Sequence, residues 1–371
     1  MPSRLRCIVQ AFFDQRTENS RVKSAIVVGY FLPWAKILSR ESERIGYVDL
    51  FCGPGQYSTG EKSTPLLILE KAIADLSLRQ KLVTLFNDVS PDYTRALQHG
   101  IRELPGIDSL RYRPEVTTRE VDAQYAEEFE KVRRIPALTF VDPWGYRGVS
   151  RRLLASIIKD FGSECIFLFN YNRVNMAIED EKKEEHIEEL LGEGRVATLR
   201  SQIAPLRSRA REAQVLRAVG EAISGIGGKY LVPFRFGWKN GRTSHYVCFV
   251  TKHHLGCEIM KDVMARNGLV DEDGVPKFEF IPKHEGQQLS LECVRPLRSL
   301  PTNLLETFAG RAVKVRQLFT EHHPGTPFIL PNYRRVIREL WEEGKVSCTS
   351  DRGQIRKNSM PDHVLVSFPR V

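Results

Sequence analysis

The chain has 371 residues, 42% hydrophobic and 27% charged, enough for one large α/β domain and a smaller second one, since domains cluster at roughly 100–200 residues. Its net charge of +9 and pI near 9.2 favour an acidic partner, because Lys and Arg that neutralise phosphates release counterions. The scattered cysteines (Cys7, Cys52, Cys165, Cys248, Cys257, Cys293, Cys348) contain no C-x-x-C pair and argue against a disulfide framework and a zinc site, while no stretch approaches the roughly 18 apolar residues of a membrane span, which makes the cytoplasm the expected location.

Residues 1–44 read as a helical segment that packs beside a sheet. Val22, Ile26, Tyr30, Trp34 and Leu38 recur every fourth position and make one face of a helix over 21–40, bent at Pro33. The apolar run Ile45–Phe51 is then a strand stopped by Gly53-Pro54-Gly55, with a helix over 65–78 behind it. The alternation repeats: strand 81–86, helix 92–103, a weaker strand before Val121-Asp122, helix 124–132, strand 137–141, helix 151–161 and strand 164–169. Strands interleaved with helices predict a mostly parallel, doubly wound sheet.

Residues 171–228 break this rhythm. They hold a charge-dense helix over 179–191 and a basic stretch with Arg195, Arg200, Arg207, Arg209 and Arg211, and read as a helical insertion. Strands 229–236 and 244–251 follow, joined by a turn whose Asn240-Gly241 favours positive φ, so this pair is an antiparallel hairpin. The α/β domain therefore spans 45–280. Residues 281–303, with Pro282, Pro296 and Pro301, read as a linker. Residues 304–371 read as a winged helix-turn-helix: helices 304–308, 313–322 and 331–343, then strands 346–349 and 363–368.

The candidate chemistry falls at predicted strand ends, where α/β sheets bind ligands. Asp49, Phe51, Gly53, Pro54 and Gly55 form a strand-to-turn segment in which glycine lets the backbone approach a ligand, or a plain turn. Asp88, ending the second strand, is a candidate to accept hydrogen bonds from both hydroxyls of an adenosine ribose, or to cap the next helix. Asp122, after a weak strand, is a candidate to accept from an adenine amine, with a structural role the stronger alternative. Asp142-Pro143-Trp144-Gly145 ends the fourth strand: Asp142 would accept from an exocyclic amine and Trp144 would stack on its ring, or the pair is a helix cap and a core tryptophan. Phe169-Asn170-Tyr171-Asn172-Arg173 points at the same cleft or caps a helix. His253 and His254 lack a third metal-like partner, and no metal is expected. In the winged helix, Tyr333, Arg334, Arg335 and Arg338 lie on the expected polar side of the second helix, with Arg352, Arg356 and Lys357 in the wing, a set for nucleic acid or for protein contacts.

Here the residues meet known families. Asp142-Pro143-Trp144-Gly145 is similar to the D-P-P-Y of DNA amino-methyltransferases and closer to the D-P-F-G of tRNA guanine N2-methyltransferases. Cys52 sits on the wrong loop to replace the nucleophile of cytosine-C5 enzymes. A parallel sheet ending in an antiparallel hairpin resembles the Rossmann-like class I methyltransferase fold. The chain also resembles the three-Cys-motif partner family (TcmP) over roughly residues 20–270, through Tyr47–Gly55, Thr64-Pro65-Leu66, Asp142–Gly145, Phe169–Asn172 and His245–His253 with Leu255-Gly256. Trp144 stands where phenylalanine is commoner.

The resemblance implies S-adenosylmethionine as cofactor and a three-Cys-motif partner similar to radical S-adenosylmethionine proteins. It leaves three activities: an exocyclic-amine methyltransferase on DNA or RNA, a non-catalytic nucleic-acid-binding accessory of that partner, and a methyltransferase on a small molecule or protein.

Overall fold

A computed structural model of the chain describes residues 17–131, 135–143, 149–238, 240–282, 296–356 and 358–370, leaving aside the side chains of Glu181 and Pro296. It divides into two compact units, Met1–Val263 with Phe280–Pro282 and Met264–Glu279 with Lys283–Val371.

The first unit opens with α1 (Glu18–Glu41), continuous through Pro33 and capped by the Thr17 side chain, which accepts from the Ser20 amide. Its buried face runs Ser20, Ser24, Val27, Phe31, Trp34 and Leu38, a three-to-four spacing that lays one stripe on the sheet. By length and composition alone α1 is long and apolar enough to cross a membrane, with half of its apolar window buried in the fold. The expectation that no stretch approaches a span therefore fails on composition: the stripe that docks α1 supplies the same apolar content.

The sheet alternates β1 (Ile45–Asp49), α2 (Thr64–Ala74), α3 (Leu76–Lys81), β2 (Leu82–Asp88), α4 (Pro91–Arg102), β3 (Glu115–Thr118), α5 (Ala123–Lys131), β4 (Ala137–Val141), α6 (Arg151–Ile158) and β5 (Glu164–Phe169). Four helices, α7 (Tyr171–Ile178), α8 (Glu184–Leu191), α9 (Arg195–Ile203) and α10 (Ser208–Ser224), fill the segment read as an insertion. Two of its arginines are internal ties: Arg200 pairs with Glu184 at 2.9 Å, and Arg211 with Glu179. The hairpin β6 (Tyr230–Gly237) and β7 (Thr243–Thr251) follows, then α11 (His254–Asn267) and the two-residue β8 (Glu279–Phe280).

The strand order is β3-β2-β1-β4-β5-β7-β6-β8. Strands β1 to β5 pair in parallel, whereas β7 runs antiparallel to both β5 and β6. β1 and β4 are buried along their whole length, as central strands covered on both faces must be. Strand β3 ends at Thr118, short of the expected Val121-Asp122, because Asp122 caps α5 instead: its Oδ1 accepts from the Tyr125 amide at 2.8 Å.

The second unit is built from α12 (Ser299–Thr307), β9 (Ala312–Lys314), α13 (Val315–His322), α14 (Leu330–Glu342), β10 (Ser347–Thr349) and β11 (Leu365–Ser367), with β11 central in a three-stranded sheet. Its core gathers Leu300, Leu304, Phe319, Tyr333, Ile337 and Val366, joined by Val275 from the segment before the expected linker. The linker read over 281–303 ends in helix, not coil, because Leu300 and Leu304, four apart, bury on one side of α12. Strand β9 was not expected; three residues carry too little alternation to register as a strand.

Candidate active site

The carboxyl ends of β1, β4 and β5 open into a cleft of about 470 Å³. β1 supplies Asp49, Phe51, Cys52 and Gly53. The chain turns there on Gly53 (φ 63°) and Gly55 (φ 81°), a region open to glycine. A Cβ on Gly55 would stand 2.6 Å from Leu97 Cδ1. The turn does not run straight into a helix, and the helix begins at Thr64, one residue before the start read from the sequence. Residues 56–62 form a small loop closed by an antiparallel bridge between Gln56 and Lys62, and Ser63 donates its amide to Gly55 O at 2.7 Å. Only then does α2 begin, its first residues Thr64 and Pro65 on the cleft wall beside Ser63.

Asp49 is buried, with Oδ1 accepting from the Phe51 amide at 3.2 Å. Burial, with Asp142 and Asp88 nearby, holds its carboxyl well above the usual carboxylate range. Cys52 is buried, and burial holds its thiol protonated. Asp88 stands beside the glycine turn with both oxygens engaged by backbone: Oδ2 accepts from Gly53 N at 3.0 Å and Oδ1 from Ser90 N at 2.9 Å. Its neighbour Asn87, unremarked in the sequence, is wholly buried and ties three strand ends together. Its Nδ2 donates to Leu50 O and Arg119 O, while Oδ1 accepts from Thr117 Oγ1 and Arg119 N.

From β4 come Asp142 and Pro143. Lys23 of α1 donates to Asp142 Oδ2 in a mostly buried ion pair. Lys23 was missed because its partner is 119 positions away. A signal existed: Ser20 and Ser24 put small polar residues at the head of an otherwise apolar stripe, the mark of a helix end facing a polar site. From β5 and α7 come Leu168, Asn170 and Arg173, with Asn170 Oδ1 capping α7 by accepting from the Arg173 amide at 3.3 Å.

The hairpin closes the far wall with Trp238, Ser244 and His245. The His245 ring stacks on Phe236 at 4.6 Å, and Ser244 Oγ lies 2.9 Å from its Nδ1. Burial, assisted by the Lys23 charge, pushes the imidazole down to about 3, so it is neutral near pH 7. Two polar atoms on the cleft wall, Ser63 Oγ and Asn19 Oδ1, are buried without a hydrogen-bond partner among the described residues.

Of the candidate cofactor residues, Asp49, Phe51 and Gly53 line the cleft, whereas Pro54, Gly55, Asp88 and Asp122 do not. Asp142 and Pro143 line it; Trp144 and Gly145 lie outside the described residues. Among the described residues no group of three or more His, Cys, Asp or Glu is arranged to hold a metal ion.

In the second unit the expected polar face of α14 needs one correction. Tyr333 is fully buried, its hydroxyl 2.7 Å from His322 Nδ1, because Tyr333, Val336, Ile337 and Leu340 share one helical face. Arg334, Arg335 and Arg338 do line an open depression, with Asn358, Ser359 and Pro361. Each also has an acidic neighbour: Asp362 at 2.7 Å, Glu339 at 3.8 Å and Glu342 at 3.8 Å. Arg352 and Arg356 are exposed between β10 and β11; Lys357 lies outside the described residues.

Comparison with known proteins adds a domain. A family model described as GMT-like wHTH domain, a winged helix-turn-helix, matches residues 279–353. No curated protein matches the chain. Among solved structures, the methyltransferase domain of bacterial CtHen1 is 14% identical with a TM-score of 0.32, over 64% of this chain and 100% of that one. A predicted O-methyltransferase of Agrobacterium tumefaciens is 10% identical with a TM-score of 0.31, over 61% and 79%. Geranyl diphosphate methyltransferase, solved with GPP and sinefungin, is 12% identical with a TM-score of 0.31, over 59% and 77%. The class is read from the sheet itself: five parallel strands followed by an antiparallel β7 inserted between β5 and β6 define a methyltransferase-like Rossmann fold. The chain carries that fold and, after it in sequence, a winged helix-turn-helix.

Proposed function

We propose that this protein binds S-adenosylmethionine in the cleft at the ends of β1, β4 and β5 and methylates nucleic acid, with an exocyclic amine as the acceptor. The observation that carries the reading is the convergence there of the glycine turn, Asp49, Asp142 and two partnerless polar atoms, Ser63 Oγ and Asn19 Oδ1. Buried polar atoms without partners are rare in folded chains, and a polar ligand would satisfy them. When bound, S-adenosylmethionine supplies an electrophilic methyl group on a sulfonium.

The chain's own residues orient and exclude water. Gly53 brings backbone to the wall, and Lys23 is placed to neutralise a ligand carboxylate if it leaves Asp142. Asp142, once released, accepts a hydrogen bond from the acceptor amine and holds its lone pair toward the methyl group. Neutral His245 adds no competing positive charge. The winged helix-turn-helix, with Arg352 and Arg356 exposed, is suited to phosphate contacts that position the substrate. Full-length protein incubated with methyl-labelled cofactor and mixed DNA and RNA should label a nucleoside. Asp142→Ala should remove the label with cofactor affinity retained; labelling of protein alone would redirect the substrate.

One observation favours a second reading, a non-catalytic accessory of a three-Cys-motif partner. Asp142 is already paired with Lys23, and both oxygens of Asp88 are taken by backbone amides. On that reading the cleft takes no S-adenosylmethionine.

A further inference from the structure

Trp238 is one of the few large apolar side chains left in solvent among the described residues, 52% exposed, and it sits where β6 leaves the sheet at the mouth of the cleft. It also borders an open depression of about 490 Å³ shared with Asn19, Asn240 and Pro282. An indole held in water forgoes hydrophobic burial, so its local scaffolding bears on whether the exposure is incidental.

The scaffolding is extensive. Trp238 N donates to Arg242 O at 2.7 Å and Gly241 N donates to Trp238 O at 2.9 Å, with Gly241 at φ 77° completing the turn. Arg235, buried behind the turn, donates to the Gly241 carbonyl and, at 2.7 Å, to Thr243 Oγ1. Glu212 of α10 anchors the assembly, accepting from Thr243 Oγ1 at 2.6 Å and Tyr246 OH at 2.9 Å. A buried polar network thus fixes a turn whose outermost apolar feature is one indole. Such networks rigidify what they support.

We propose that Trp238 is the stacking platform for an unpaired nucleobase entering the cleft. The inference rests on the methyltransferase reading for the use of the site, but the stacking itself is independent of it. The neighbouring groups fit a base better than an aliphatic or peptide ligand. Asn19 Oδ1 is a buried acceptor without a partner among the described residues, open to a ring or exocyclic N–H, and Asn240 borders the same depression. The exposed Arg173 on the cleft wall takes the phosphate of the same nucleotide. A base inside a duplex has both faces covered, so the substrate nucleotide is single-stranded or flipped out.

The test uses full-length protein and fluorescein-labelled oligodeoxyadenylate, compared by anisotropy with an abasic strand of equal length. Wild type should prefer the base-bearing strand by about 10-fold or more. Trp238→Ala should remove most of that preference, Trp238→Phe should keep most of it, and affinity for the abasic strand should stay the same throughout. A preference that survives Trp238→Ala, or none in wild type, overturns the proposal. Unchanged thermal midpoints establish that the variants fold. A parallel titration with S-adenosylmethionine separates the two readings: Trp238-dependent preference without cofactor binding refutes the methyltransferase reading alone, and cofactor binding with a silent Trp238→Ala refutes the stacking alone.

Discussion

Lys23 and Asp142 meet across the cleft with side chains only 16% and 19% exposed, so neither charge is well solvated without the other. Removing one leaves the other stranded, whereas removing both does not. A double-mutant cycle with Lys23→Met and Asp142→Asn, read by urea denaturation, should give a coupling of about 1–3 kcal/mol. A coupling near zero would mean that the pair does not form in solution. Glu164 presents a different buried charge. It accepts from Tyr30 OH at 2.5 Å and Thr251 Oγ1 at 2.6 Å, yet burial pushes its carboxyl up from 4.5 to about 7. The folded chain then holds a proton that the unfolded chain releases, so stability falls as pH rises from about 4.5 to about 7 and is level above. The loss should be on the order of 3 kcal/mol, and Glu164→Gln should flatten that part of the pH profile. An identical pH profile in the variant would contradict the assignment. His245 acts in the opposite sense: its depressed value favours the folded state above pH 6.5 and costs stability as pH falls toward 3.

At the scale of elements, the turn after β1 and the clip formed by Asn87 fix the strand ends beside the cleft. Gly55→Ala would force a side chain into positive φ and against Leu97, at a cost of about 1–3 kcal/mol by thermal or chemical denaturation. Asn87→Ala would leave the Leu50 carbonyl and the Arg119 amide without this partner, a loss of about 2–4 kcal/mol. An Asn87→Ala protein of wild-type stability would refute the clip.

The same elements show what was legible. Strands β4 and β5 begin and end where the apolar runs do, and the Asn-Gly turn of the hairpin was readable from φ preference alone. Lys23 was not, since an ion pair between a helix and a distant strand end leaves no local pattern. Tyr333 was readable and misread: its spacing of three, four and seven from Val336, Ile337 and Leu340 puts it in the core. The loop over 56–62 and helix α11 had no expectation at all, the first because a single bridge holds it and the second because its start follows a strand without an intervening turn signal.

For the whole molecule, the proposed nucleic-acid binding draws on the net charge of +9 and the winged helix-turn-helix, and the proposed methyl transfer on the methyltransferase-like sheet. The basic side chains are not uniformly available. Arg200, Arg211 and Arg334 are tied to acids within the fold, and Arg352 and Arg356 remain exposed. The double substitution Arg352→Ala/Arg356→Ala should therefore weaken duplex binding about equally across sequences and lower the slope of log affinity against log salt by about 1–2, measured by anisotropy over a salt series. A sequence-dependent loss would instead assign these residues to base reading.

Whether the cleft takes S-adenosylmethionine is the most direct question for the proposed function. Isothermal titration of the full-length chain should show one site per chain, and Gly53→Trp, which obstructs the turn at the cleft wall, should abolish it in a protein that remains folded by circular dichroism. Absence of heat in the wild type under conditions that preserve the fold, or binding unchanged by Gly53→Trp, would contradict the account.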